Sequence, residues 1–300
     1  MVVLVTGANG QLGQALQSIS GNYPEIDFVF CDSTRLDITD LNNIKQSFKQ
    51  IKPHYCINAA AYTAVDKAES EPEKAQLINV KGAENLAEVC KEYDTILLHI
   101  STDFVFDGNR TVTLSTVEVP YTEEDTPNPT GVYGLTKLQG EKAIQEAFDN
   151  YFIIRTSWVY SQFANNFMKT MLRLASERDS LSVVNDQIGT PTNAVDLAEV
   201  LISMICHTER SRSAYNLQPT TYNHFGIYNF SNEGQCSWYD FAKEIFEINN
   251  VIINLNPIPT TSFPTPAKRP AFSVLDKTKI KKTFGVEIKD WKESLRTCKI

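Results

Sequence analysis

An apolar, β-branched run, Val2–Thr6, opens the chain and leads directly into Gly7, Gly10 and Gly13. A strand that runs into three spaced glycines and then into a helical stretch near Gln11–Ile19 constrains the fold more than any other feature. Such glycines allow a tight turn, close approach of backbone to a pyrophosphate, and close packing of the helix on a sheet. The spacing leaves one more residue between the first two glycines than the commoner G-x-G-x-x-G. Three turn glycines without a ligand are the plain alternative. The strand before and the helix after favour a dinucleotide loop.

Strand and helix patterns then alternate. Phe28–Cys31 reads as a strand, and Ile38–Ile51 has helical periodicity with Asp37 or Thr39 as its cap. Tyr55–Asn58 is a short buried strand, Pro72–Tyr93 a long helix and Thr95–Ser101 a fourth strand. Gly134–Phe148 is a helix and Phe152–Thr156 a further strand. This alternation predicts an α/β, Rossmann-like, doubly wound parallel sheet over residues 1–158, covered on both faces. Past residue 158 a smaller C-terminal substrate-binding part, 159–300, is expected, with segments near 182–206 and 226–232 returning to the first. Asn165–Glu177 is amphipathic, Ser182–Val184 a short strand, and Ala194–Cys206 and Ser237–Ile248 helices. Thr208–His224 is polar with little periodicity and reads as an exposed insertion loop. Residues 256–270 hold five prolines and should run extended over the surface.

Composition removes several classes of function. A hydrophobic fraction of 42% supports a substantial core, yet no run of about 18 apolar residues appears, so no membrane partner is expected. Met1 leads straight into the first strand without a basic segment and cleavage site, which makes the cytoplasm the default expectation. The six cysteines are scattered and the four histidines lack ligand spacing, so neither a disulfide framework nor a metal site is expected. The net charge of −8 argues against nucleic acid. It does not argue against a nucleotide, whose phosphates a helix N-terminus can bind.

The chemistry-bearing residues fall at the ends of the predicted strands. Asp32 ends the second strand, where a carboxylate would accept from ribose hydroxyls; Arg35 could instead face a 2′-phosphate, so NADH and NADPH both stay open. Asp37 and Ile38 are placed to contact adenine, although Asp37 could equally be a helix cap. Ala59, Ala60, Ala61, Tyr62 and Thr63 follow the third strand, where small residues let backbone approach a cofactor. Thr102 and Asp103 close the fourth strand, and a hydroxyl there can bond a substrate carbonyl. Tyr133 and Lys137 are four residues apart on one helix face. A tyrosine gives up its proton reluctantly near neutral pH, and a nearby ammonium stabilises the phenolate. Tyr133 could then protonate an oxygen that gains charge as hydride arrives, with Thr102 sharing the charge. A solvated helix face is the plain alternative for the pair.

Together these residues resemble the extended short-chain dehydrogenase/reductase superfamily. Gly10-Gln-Leu-Gly13, Leu36-Asp-Ile-Thr-Asp40, Asn58-Ala-Ala-Ala-Tyr-Thr-Ala-Val-Asp-Lys-Ala-Glu69, Ser101-Thr-Asp-Phe-Val-Phe-Asp-Gly108, Arg155-Thr-Ser-Trp-Val-Tyr160, Val184-Asn-Asp-Gln-Ile-Gly-Thr-Pro-Thr192 and Lys268-Arg-Pro-x-x-Ser-x-Leu275 resemble its dTDP-4-dehydrorhamnose reductase family. The resemblance implies reduction of the 4-keto group of dTDP-4-dehydro-β-L-rhamnose with NADPH or NADH. It implies Tyr133 as proton donor, Lys137 as its partner and Thr102 on the carbonyl. Gly7, Gly10, Gln11, Leu12, Gly13, Asp32, Asp37, Ile38, Ala59, Ala60, Ala61, Tyr62, Thr63, Ile100, Tyr133 and Lys137 would line the cofactor. Val65, Thr102, Asp103, Phe104, Tyr133, Trp158 and Arg269 would meet the dTDP-sugar. Trp158 could instead be core, and Arg269 a phosphate or inter-domain clamp or a surface arginine. Some family members dimerise through magnesium held by glutamates; Ala15 and Val195 stand at the corresponding places here, so a monomer or an unbridged homodimer is expected. A sugar-nucleotide epimerase or dehydratase is the alternative enzyme, and a non-catalytic regulatory subunit the alternative from another class. Asp103-Phe104 lacks the dehydratase's acidic pair, and intact Thr102, Tyr133 and Lys137 argue against a scaffold.

Overall fold

The computed structural model describes residues 1–109, 119–215 and 224–298. Five strands, β1 (Val2–Thr6), β2 (Asp27–Cys31), β3 (Tyr55–Asn58), β4 (Ile96–Thr102) and β5 (Tyr151–Thr156), form a sheet with a sixth, Gly226–Asn229. Their order is Gly226–Asn229, β5, β4, β3, β1, β2, and every pairing is parallel. The direction in which strands are added reverses between β1 and β3: β2 lies on one side of β1 and all later strands on the other. This is the switch point of a doubly wound sheet, where the carboxyl ends of the strands leave a crevice.

The sheet is parallel because helices cover both faces, so each strand buries both sets of alternating side chains. Val3, Val5, Ile57, Leu98 and Ile154 point to a core shared with helices Gln11–Ile19 and Ala194–Tyr215. Leu4, Cys56, Leu97 and Ile153 point the other way, onto Ile44, Phe48, Leu86, Val89 and Ile144. A third apolar cluster lies outside the sheet, built on Tyr160, Met168, Leu181, Phe241, Ile245 and Trp291. Strand Ser180–Val184 belongs to this region, where it pairs in parallel with Asn254–Ile258.

Three local expectations need correction. Helix Leu41–Ile51 is capped by Asp40, whose carboxylate accepts from the Asn42 and Asn43 amides, and not by Asp37 or Thr39. Asp37 instead turns its carboxylate onto Thr39, so both acidic residues cap the local backbone and only the later one meets the helix. The expected helix Pro72–Tyr93 carries a π-helical segment at Leu77–Lys81. The expected insertion loop 208–224 is helical as far as Tyr215. Thr208 is fully buried there and Glu209 accepts from the Tyr55 hydroxyl on β3, so contact with the sheet overrides weak periodicity. Residues 216–223 lie outside the described residues.

The six cysteines are free. Among the described residues no helix is long and apolar enough to cross a membrane.

Candidate active site

The glycine loop sits at the switch point. Gly7 has φ +68°, and a Cβ there would lie 2.7 Å from the Ala59 and Ala60 backbone. Only glycine meets both demands, and the first loop therefore touches the segment after β3. Gly10 caps helix Gln11–Ile19 without a side-chain bond to its first turn, and its amide donates to Gly7. Gly13 and Leu12 are buried in the helix. The first amides of that helix face the crevice with no acidic residue in the first turn, a setting that suits an anion.

Gln11 behaves differently from expectation. Its side chain donates to the Val159 carbonyl at 3.1 Å and accepts from Ser161 and Asn166, each at 3.0 Å. It ties the first helix to the segment 159–166, which leaves its backbone for a ligand. On the far side, Asp32 accepts from Asn9, Thr34 and the Arg35 amide, and these bonds hold its carboxyl below the usual range. The Arg35 guanidinium donates to the Phe30 carbonyl. Asp37 is exposed and Ile38 buried beside it. Ala59, Ala60 and Ala61 are half-buried along the crevice wall and Thr63 is exposed. Tyr62 is anchored at both ends: its amide donates to Asn79 and its hydroxyl to Glu71. Asn79 belongs to the π-helical segment, a distortion often found at functional sites.

Helix Val132–Ala147 carries Tyr133 and Lys137 into the crevice. Its close seat depends on Gly134, where a Cβ would lie 2.1 Å from the Phe104 carbonyl oxygen. The Phe104 ring meets Tyr133 edge-on at 5.6 Å. Lys137 is buried and donates to the Ile100 carbonyl at 2.7 Å, with His99 Nε2 at 3.2 Å. Burial pushes Lys137 down to about 8, against the pull of Glu141. Burial pushes Tyr133 up to about 12, opposed by the Thr102 hydroxyl and reinforced by Asp103. The phenol therefore keeps its proton at neutral pH, as a donor must.

Thr102 donates to Asp103 Oδ1 at 3.1 Å and accepts from the Phe104 amide. Asp103 is 2% exposed, and its Oδ2 has no hydrogen-bond partner. Burial raises its carboxyl to about 6, against the lowering effect of the nearby Ser273 and Thr102 hydroxyls. An unpartnered buried carboxylate oxygen beside Thr102 suits a hydroxylated ligand.

Trp158 has φ +46° and lies on Trp238, ring centroids 3.6 Å apart. It is half-buried at the edge of the third apolar cluster. Arg269 forks onto Asp66 at 3.1 and 2.8 Å, and Asp66 also accepts from the Ala267 amide. The guanidinium thus clamps the 267–269 segment to the short helix Val65–Ala68 that follows β3.

Sequence reasoning assigns no role to four groups at the site: Asn58 and Arg155 enter only as parts of motifs, and His99, Trp238 and Glu141, the partner of Arg155, are not singled out. The Glu141–Arg155 pair is bidentate at 3.0 and 2.7 Å and ties the Tyr133 helix, which carries Glu141, to Arg155 of β5. A histidine and an arginine inside otherwise apolar strands were the available signal.

The family model described as RmlD substrate binding domain matches residues 1–299. A dTDP-4-dehydrorhamnose reductase of Aggregatibacter actinomycetemcomitans is 40% identical over 301 residues, covering 98% of this chain and 97% of that protein. Two solved dTDP-4-dehydrorhamnose reductases superpose on the chain. The one from Clostridium acetobutylicum has a TM-score of 0.89 at 39% identity. The one from Bacillus anthracis, in complex with NADP, has a TM-score of 0.87 at 40% identity. Each covers 99% of this chain and 98% of its own.

Proposed function

The chain belongs to the dTDP-4-dehydrorhamnose reductase family, and from that premise we propose that its crevice reduces the 4-keto group of dTDP-4-dehydro-β-L-rhamnose to dTDP-L-rhamnose. NADPH or NADH supplies the hydride when bound. The carrying observation is the convergence of Thr102, Tyr133 and Lys137 at the carboxyl edge of the sheet, next to the glycine loop.

The residues present fit a dinucleotide. The Gly7 turn leaves a cradle that a Cβ would fill, and the first amides of helix Gln11–Ile19 would face the pyrophosphate. Asp32 or Arg35 would face the adenosine ribose, and Asp37 and Ile38 the adenine. Ala59, Ala60, Ala61, Tyr62, Thr63 and Ile100 would form the wall. Residues 1–158, with the helix Ala194–Tyr215 and the residues near 226–232 that pack on the sheet, would hold the cofactor, and residues 159–300 mainly the sugar nucleotide.

Tyr133 is the proton donor in this reading. As the carbonyl carbon gains hydride, its oxygen gains negative charge and takes the phenolic proton, giving the alcohol. Lys137 stabilises the phenolate left behind, because a positive charge beside it lowers the cost of ionisation. Thr102 bonds the developing oxyanion, and Asp103, with a free acceptor oxygen, takes a sugar hydroxyl. Val65, Phe104 and Trp158 border the sugar, and Arg269 secures the wall on the opposite side.

The test is a direct assay: oxidation of NADPH or NADH by the purified protein in the presence of the dTDP-4-keto sugar, with the product identified. Formation of dTDP-L-rhamnose is expected. No oxidation of either coenzyme by a folded protein would reject the reading. Tightly retained NAD⁺ after purification would favour an epimerase instead.

A further inference from the structure

Beneath the Tyr133–Lys137 pair runs a line of polar side chains between β1, β3 and β4. Thr6 donates to Asn58 Oδ1 at 2.7 Å, and the Ala60 backbone amide donates to the same oxygen at 3.2 Å. Asn58 Nδ2 lies 2.9 Å from His99 Nδ1, and His99 Nε2 lies 3.2 Å from Lys137 Nζ. None of these four side chains is more than 1% exposed.

The protons on this line have one self-consistent arrangement. A backbone amide can only donate, so Ala60 holds the amide oxygen of Asn58 toward itself and turns its NH₂ toward His99. His99 Nδ1 must then accept. A neutral imidazole carries one proton, so it sits on Nε2 and points at Lys137. An N–H aimed at an ammonium sets donor against donor; aimed at an amine it meets a lone pair.

We propose that His99, locked by Asn58 in its Nε2–H tautomer, donates to Lys137 and favours the amine form of that lysine. It thereby sets from below the pH at which the lysine carries its charge. His99 is a positioning residue in this scheme, because it acts only through Lys137. The line orients and does not conduct, since an amide side chain does not pass a proton on.

The other groups facing Lys137 are accounted for. Glu141, one turn along the same helix, favours the ammonium, but its carboxylate is held by Arg155 of β5 and by Ser101. Tyr133 lies on the same helix, and Asp103 at the end of β4 acts on Tyr133. Burial and Lys137 both hold His99 well below the usual imidazole range, which is consistent with a neutral ring.

The functional consequence rests on the reading of Lys137 as the partner of Tyr133. Two measurements separate them. In the ¹⁵N-histidine-labelled full-length protein, proton–nitrogen correlation spectra report which ring nitrogen is protonated, with His99→Gln assigning the signal. His99 should show a proton on Nε2 alone and should not titrate between about pH 5 and 8. A proton on Nδ1, or a titrating ring, overturns the proposal, and wild-type protein suffices for this. The second measurement is the alkaline limb of the kcat/KM pH profile. Asn58→Asp offers Nδ1 an acceptor and frees the Nε2 lone pair, and His99→Gln can turn a carbonyl to the lysine. Both should move the limb up by about one pH unit, a tenfold change in proton affinity. Lower rates with the limb in place, or a limb moved down, overturn it. If Tyr133→Phe keeps its activity while His99 shows the Nε2 proton, the catalytic reading fails and the tautomer assignment stands.

Discussion

Burial moves Tyr133 and Lys137, one turn apart on the same helix, in opposite pKa directions, and in each case it favours the neutral form. The phenol moves up to about 12 and so stays protonated; the lysine moves down to about 8. Tyr133→Phe should lower kcat by about a hundred- to ten-thousand-fold, the usual worth of a positioned acid, while NADPH affinity by fluorescence titration stays within a few-fold. Survival of turnover would place the acid elsewhere. Asp103 offers a stability measurement. Its folded carboxyl is raised from 3.8 to about 6, chiefly by burial, so the folded chain holds a proton that the unfolded chain releases. Stability from this group is present below the unfolded pKa and is lost as pH rises through about 6. Asp103→Asn should therefore be more stable than the parent above about pH 6, by up to roughly 3 kcal/mol, with the gain gone near pH 4. Urea melts across that range check it; a pH-independent difference would show that ionisation is not the cause.

At the scale of elements, the site is accurate because small residues let helices sit close. Helix Val132–Ala147 approaches the turn after β4 at Gly134. Gly134→Ala would force the helix away from Phe104, and Tyr133 and Lys137 would move with it. The expected cost is about 1–3 kcal/mol of stability, with kcat reduced and cofactor binding less affected. Unchanged melts and unchanged kcat would mean that the contact yields easily. The glycines after β1 and the Tyr–Lys spacing were legible because both are short-range patterns. The π segment at Leu77–Lys81 was not, because it depends on Asn79 bonding Tyr62 and Thr136, 17 and 57 residues away. The Asp40 cap was missed for a smaller reason: three candidate oxygens stand within four residues, and hydrogen bonding alone decides which one meets the helix.

At the scale of the molecule, distant segments meet around the crevice. Gln11 reaches across 148 residues to Val159, and Arg269 across 203 to Asp66. The Arg269–Asp66 pair is partly exposed, at 26% and 40%, so its contribution to stability should be small. Arg269→Ala should change stability by less than about 1 kcal/mol. It should raise KM for the sugar nucleotide several-fold with kcat nearly preserved, as steady-state kinetics would show. An unchanged KM would reduce Arg269 to a structural tie. The buried Glu141–Arg155 pair differs, since removing one partner would strand a charge in the core.

The sequence by itself determined the alternation of strands and helices, the glycine turn, and the four-residue interval between Tyr133 and Lys137. Each is written in neighbouring residues, through apolar periodicity and backbone sterics. Only the tertiary structure decided that helix Ala194–Tyr215 continues past Thr208 and that Gln11 faces the C-terminal segment. It alone decided that Trp158 rests on Trp238 and which nitrogen of His99 faces Lys137. The Trp158–Trp238 contact is a ring stack between distant segments; the others depend on donors and acceptors brought within about 3 Å across strands and helices, and a hydrogen bond is lost within a fraction of an ångström beyond that. Asn58, His99 and Lys137 are separated by 41 and 38 residues, and only the parallel sheet aligns them.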